Sequence, residues 1–370
     1  MSAAGSLDAE NAPEPARLDR LVFAPLRGVV VERAEWRPGQ PAVPAAALPP
    51  LLAIVREGIG DQFAVWSTSG QGRPQGAAPP LGARLWPAAA KLLRAAPCPA
   101  LWSATTGLAP EDFETVRTPV AQLLAHAAII ETFVAQCEPS RPPPEPRHIR
   151  TLLDEIARGG APGFRLALVI LLRRCPRLEQ LAAMALSTAR GDDGIEDAAY
   201  SGATYVLDAV VTHHQRAAAA PAAAGPGRAR ALAAEIAEAA RVTRCVEAMA
   251  ALRPLSRLHR EVGRKRVILQ TVCLDRFEEL VAAMLLEPLA AGQAESAVGF
   301  AGLRKVAWEL GETCDALRLL GDRHGTERAI QRTARRAGAA LGDHDPQGAI
   351  ATALVERLRG LSAPEPGEPR

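Results

Sequence analysis

The sequence predicts an almost entirely α-helical protein: a multi-helical bundle or short α-solenoid-like array around one long helix, preceded by an irregular, proline- and tryptophan-rich, mainly helical N-terminal region. Three observations lead there. Between Pro254 and Pro288 more than thirty residues run without a further proline, and Leu255, Leu258, Val262, Leu269, Cys273, Phe277, Leu280 and Met284 recur at intervals of mostly three or four. From Arg147 onward one segment after another repeats that helical spacing. Prolines stand at the starts of these segments and glycines at their ends, as helix termini require.

The N-terminal third is taken in chain order. Residues 1–17 are small, acidic and proline-containing, and are expected to be disordered. Leu18 to Trp36 is ambiguous: Val29, Val30 and Val31 suit a short strand, while Arg20 to Leu26 suits a helix broken at Pro25. Pro49 and Pro50 open a helix over Leu51 to Gly58, and residues 67–80 read as a loop. Short helices follow around Leu81 to Leu93, with Pro87 as an interruption. Pro110 starts another, with Glu111, Asp112 and Glu114 favourably placed against the helix dipole, and Pro119 opens the next. Trp36, Trp66, Trp86 and Trp102 all fall in this region; they are expected to form its core, the alternative being a surface aromatic patch for a partner.

Residues 139–146 (PSRPPPEP) read as a stiff linker between an N-terminal region, 18–138, and a C-terminal helical domain, 147–361. Recognition of this segment by an SH3-type domain is the alternative. Helices are expected over Arg147 to Arg158, Pro162 to Arg174, Pro176 to Ala189 and Gly194 to Gln215. The second of these is apolar enough to be buried all round. Residues 216–230 form a flexible alanine-rich loop. Arg228 to Leu252 is an alanine-rich helix whose small side chains suit close approach to the long helix. After the long helix come Phe300 to Leu320, Thr326 to Leu341, Pro346 to Leu358, and a disordered tail, 362–370. Leu320-Gly321-Asp322 and Leu341-Gly342-Asp343 read as matching corners, with Thr326 and Asp345 as the following N-caps. No repeat period carries matching residues.

Composition bounds the function. The 370 residues are 48% hydrophobic with a net charge of +2, so no global field draws the chain to nucleic acid or anionic membrane. Lys91, Lys265 and Lys305 are the only lysines, and the wealth of Ala, Arg, Gly and Pro matches a GC-rich bacterial coding sequence. The six cysteines form no C-x-x-C pair and mostly occupy apolar helical positions, which points to a reducing compartment, the cytoplasm. The N-terminus lacks the basic and apolar regions of a signal peptide, and the apolar run Leu166 to Leu172 is too short to span a bilayer.

Two rows of arginines stand out. Arg253, Arg257, Arg260 and Arg264, spaced by four, three and four, share a face of the long helix opposite its apolar stripe, flanked by Lys265 and Arg266. Asp275 and Glu278 lie farther along the same side. The bland reading is a solvated face with local pairs such as Arg257–Glu261; the sharper one is binding of phosphate, nucleic acid or an acidic protein. Arg328, Arg332, Arg335 and Arg336 form the second row, behind Ile330, Ala334 and Leu341. Helix, tight turn and arginine-rich helix is the outline of a DNA-reading helix–turn–helix, although the preceding helix is long for that motif.

His259 carries the one family likeness. The stretch L-H-R-E-V-G, Leu258 to Gly263, resembles histidine phosphotransfer domains, in which a glycine four residues on makes room beside the phosphorylated ring. The likeness covers six residues, and Val262 stands where a lysine is usual. His344-Asp345 does not continue into a metal-binding HD pattern, and His213-His214 has no carboxylate at helical ligand spacing except Asp208, five residues back. No G-x-G-x-x-G, Walker or G-x-S-x-G motif occurs. No residue is assigned a catalytic, cofactor or metal role, and none of these readings needs a cofactor. The expected function is non-enzymatic: a scaffold, adaptor or regulatory protein whose partner is another protein. A nucleic-acid-binding regulator using the two arginine rows is the first alternative, and a phosphotransfer protein or unrecognised enzyme the second.

Overall fold

A computed structural model describes residues 14–68, 81–138, 141–142, 144–175, 181–189, 191–220, 227–252, 257–292, 297–341 and 349–359. The protein is all-α and multi-helical. Its chain divides into two compact units, Met1–Val206 and Leu207–Arg370, so the division falls at Val206 and not at the proline-rich segment 139–146.

The first unit opens with α1 (Glu14–Val22), which begins inside the stretch expected to be a disordered tail. A 3-10 turn, Ala24–Leu26, holds Pro25, and Val30–Val31 pairs in parallel with Val43–Pro44 as a two-residue ladder. Both readings of the ambiguous Leu18–Trp36 segment are therefore partly realised. Then come α2 (Leu48–Thr68), α3 (Leu81–Ala95), α4 (Trp102–Thr106), α5 (Asp112–Gln136), α6 (Pro146–Ala157), α7 (Ala161–Arg174) and α8 (Leu181–Thr188). α9 (Asp193–Ala218) contains the boundary between the units.

Pro87 and Pro119 lie inside α3 and α5 and neither interrupts nor opens a helix. Each forfeits one backbone hydrogen bond. Pro87 is exposed and Pro119 half-buried, and the loss is offset by the buried positions around them: Leu85, Ala89 and Ala90 in α3, and Val116, Val120, Leu123, Leu124, Ala127 and Ile130 in α5, which packs on α3 and α7. α5 is also the one described helix long and apolar enough to cross a membrane, at mean hydropathy 1.3.

Polar groups fix how these helices meet. Gln122 of α5 accepts a hydrogen bond from the Gly163 amide at 2.7 Å, satisfying a free donor at the start of α7. Arg117 donates to the carbonyls of Leu93, Arg94 and Ala96 at 2.8, 2.7 and 2.9 Å, placing a cation on the negative end of α3. Trp36 and Trp102 are buried in this unit's core, their indole N–H groups donating to the carbonyls of Ala42 and Ala109. Trp102 meets Phe113 edge-on at 5.0 Å. These two rings belong to the core and not to a surface patch.

The second unit contains α10 (Arg228–Ala250), α11 (Arg257–Val281), a π-helical turn (Ala282–Leu286), α12 (Glu287–Ala290), α13 (Ala297–Leu319), α14 (Arg323–Leu341) and α15 (Ala349–Arg359). α11 buries Leu258, Val262, Leu269, Cys273, Phe277 and Leu280, the stripe expected of the long helix. Met284 leaves the stripe, because the π turn delivers Leu285 and Leu286 to the core instead. Pro288 does not end the helix. It sits in α12 directly after the π turn, whose altered hydrogen bonding accommodates its missing N–H.

α10 buries Ala229, Ala239, Ala240 and Ala250, and its small face packs most extensively on α13, more than on α11 as the sequence suggested. α13 also touches α11, α14 and α15. The corner after α13 closes as expected on Gly321, at φ +91°, but Asp322 and not Thr326 caps α14: its Oδ1 accepts from the Gly325 amide at 2.9 Å. Thr326 turns its hydroxyl back to the Asp322 carbonyl. The second corner, Gly342 to Asp345, and the tail 362–370 lie outside the described residues.

Candidate functional site

The arginine rows and the histidines singled out for function all lie in the C-terminal unit. On α11, Arg260 and Arg264 are exposed, and no acidic side chain among the described residues pairs with either. Arg253 and the Arg257 side chain lie outside the described residues, and with them the suggested Arg257–Glu261 pair. The two flanking cations are engaged. Lys265 is buried, with Nζ 2.6 Å from Asp208, and Arg266 binds Glu247 of α10 at 2.7 Å.

At 100° per residue, Arg260, Arg264, Val267, Thr271 and Asp275 fall within about 80° of arc. All five are exposed, and Val267 keeps 59% of its surface open to solvent. This face runs from two arginines through an apolar and a hydroxyl residue to an aspartate, over about 22 Å.

The second row lies on α14, whose sequence holds five arginines and one glutamate. Arg328, Arg332, Arg335 and Arg336 are all exposed, while Thr326, Ala329, Ile330, Thr333, Ala337 and Leu341 face inward. Glu327 is occupied by Arg359 of α15 at 2.6 Å, and Arg332 pairs with Glu278 of α11. Arg328, Arg335 and Arg336 have no acidic partner among the described residues. The Arg332–Glu278 pair also locates the rows. Glu278 is eighteen residues, five full turns, beyond Arg260, so the row on α14 meets α11 about 27 Å along the same side.

His259 is exposed on α11, beside buried Leu258. A side chain at Gly263 would meet nothing within 4 Å, so room above this helix exists whether or not the residue is glycine.

Sequence reasoning did not find a buried polar cluster built from α9, α10 and α11. His214 is 1% exposed, and its Nδ1 accepts a hydrogen bond from the Arg276 guanidinium at 2.8 Å, with the Cys273 sulfur at 3.4 Å. Arg276 in turn donates to Glu235 at 2.7 Å. The His213 ring stands edge-on to His214 at 5.4 Å and 3.6 Å from the Glu235 carboxylate.

Burial, helped by the Arg276 charge, lowers the His214 pKa to about 4, against a weaker pull from Glu235. Burial likewise pushes the Cys273 thiol up to about 12, with Arg276 opposing. For Glu235 burial acts to raise the carboxyl, but the hydrogen bond and charge of Arg276 override it and hold it below the usual range. At neutral pH the cluster is thus a neutral imidazole, an uncharged thiol and an ion pair. None of these is poised as a nucleophile.

The one hint in the sequence was His213-His214 on a helix with an apolar rhythm. What was missing was the tertiary placement of Arg276, which falls on the inner side of α11. A cleft beside Arg276, between Leu232, Glu279 and Leu280, has a volume of about 20 Å³, room for about one water. Among the described residues no group of three or more His, Cys, Asp or Glu side chains is arranged to hold a metal ion. Comparison with protein-family models, with curated proteins and with solved structures finds no match to this chain.

Proposed function

We propose that this chain is a non-enzymatic helical binding protein whose C-terminal unit engages an acidic segment of a partner protein along α14. The observation that carries this reading is the face of α14 itself. Arg328, Arg335 and Arg336 are exposed without acidic partners among the described residues, on a helix whose opposite side is anchored in the core. Rows of unpaired guanidinium groups favour carboxylate partners, with which they form paired hydrogen bonds. The titratable groups of the buried cluster are occupied with one another and have no such outlet. Affinity capture with the wild-type chain and with Arg328→Glu/Arg335→Glu tests it. Partners retained by the wild type and lost by the variant are expected; an identical set on both baits would sink the proposal.

A second reading, a nucleic-acid-binding regulator, draws on the same arginines, since guanidinium groups without acidic partners among the described residues also suit phosphates. Fluorescence anisotropy with a labelled duplex across a salt series separates the two. Binding that weakens steeply with salt, and is lost in the same variant, favours nucleic acid; no binding at low salt removes it.

A further inference from the structure

The exposed face of α11 has a different character from that of α14. Its charge is not of one sign but ordered along the helix: Arg260 and Arg264 at one end, Asp275 at the other, Val267 and Thr271 between. A partner matching it must present acid where this face is basic and base where it is acidic, in the reverse order. A second copy of the same face meets that requirement when turned antiparallel. Pairing α11 with itself about a two-fold axis between Val267 and Ile268 sets Arg260 opposite Asp275 and Arg264 opposite Thr271, twice over. Two exposed Val267 side chains then meet at the axis. A face that complements itself in this way is what a two-fold symmetric interface demands.

We infer that α11 is a homodimerisation surface, with two chains docked antiparallel through Arg260, Arg264, Val267, Thr271 and Asp275. The surrounding charges are consistent with this arrangement. At the basic end Lys265 is drawn inward to Asp208 and Arg266 sideways to Glu247, which leaves Arg260 and Arg264 as the outward cations among the described side chains. At the acidic end Arg332 neutralises Glu278, which leaves Asp275 and the exposed Glu279 as the outward anions. Neither end has a described intramolecular partner that a second chain would need to displace. Because the contact runs along one helix for about 22 Å, it is a small interface in which charges set orientation and register. The dimer is therefore expected to be concentration-dependent and salt-sensitive. This inference concerns a face other than the arginine row of α14 and stands independently of any partner bound there.

The test is the mass of the purified full-length chain in solution, by light scattering and sedimentation. At low salt the wild type is expected at twice its 39.0 kDa chain mass. It should fall towards the single-chain mass near 1 M salt, where the screening length shrinks to about 3 Å. Arg260→Glu/Arg264→Glu makes both ends acidic, and Asp275→Arg makes both ends basic. Each variant alone is expected to be monomeric at low salt. Mixed, the two restore the doubled mass, because acidic ends now face basic ones at both contacts. All substituted side chains are exposed, so circular dichroism should match the wild type. A wild-type chain at its single-chain mass in low salt, a dimer indifferent to both variants, or a mixture that stays monomeric would each overturn the proposal. Partner capture through α14 is read separately, so failure here and failure there are distinguishable.

Discussion

His214 Nδ1 lies 2.8 Å from a guanidinium nitrogen of Arg276, so the imidazole is an acceptor held neutral by a buried cation. Its proton is on the other nitrogen. This fixes the sign of a pH effect. The group titrates near 4 in the folded chain and near 6.5 when unfolded, so between those values the unfolded chain binds the extra proton. Stability is fully present above about pH 6.5 and declines as pH falls towards 4, by about 3 kcal/mol. His126 is shifted the same way, chiefly by burial. Thermal unfolding between pH 7 and 4 should show this decline, and His214→Asn should flatten it. An equal slope in the variant would remove His214 as its source.

Glu235 and Arg276 should behave as a coupled pair. Glu235→Ala strands a guanidinium that is 7% exposed, at an expected cost of about 2 kcal/mol in urea unfolding. Adding Arg276→Met should recover part of that loss, giving a coupling of about 1 kcal/mol. Additive costs would mean that the pair contributes nothing as a pair.

Two glycines should respond oppositely to alanine. A Cβ at Gly311 would stand 2.8 Å from the Arg357 carbonyl oxygen and 3.4 Å from that of Leu358, where α13 presses on α15. Gly311→Ala should cost about 1–3 kcal/mol. Gly338 on α14 has nothing within 4 Å of that position, and Gly338→Ala should gain about 0.5–1 kcal/mol. Paired melting curves give both signs.

Asp322→Ala should destabilise by about 1 kcal/mol, because the Gly325 amide loses its acceptor at the start of α14. Asp322→Asn, which keeps an acceptor, should restore most of it. The readout is the urea midpoint.

These outcomes mark how far the sequence could be read. The apolar stripe of α11, the unbroken burial of Leu166 to Leu172 in α7 and the glycine corner at Gly321 follow from local spacing and local backbone preference, and were legible. Pro87, Pro119 and Pro288 were misleading, since a proline announces a local cost while the packing that offsets it is tertiary. Asp322 was overlooked as a cap in favour of Thr326 because both residue types suit the role, and only the chain path decides between them. The exposed arginines of α11 and α14 were legible as faces because periodicity reports exposure. The His214–Arg276–Glu235 cluster was not, because its members lie on three helices and no spacing along the chain connects them.

The π turn at Ala282–Leu286 has a consequence for how this chain tolerates change. One extra residue per turn shifts the phase of everything beyond it by about 100°. Up to Val281 the inward positions keep the beat of Leu269, Cys273, Phe277 and Leu280; the beat restarts at Leu285 and Leu286, the last residues of the turn, and continues at Leu289. A tolerance map of this stretch will therefore show two out-of-step rhythms, and an insertion or deletion inside the five-residue turn decides which rhythm the rest of the helix obeys.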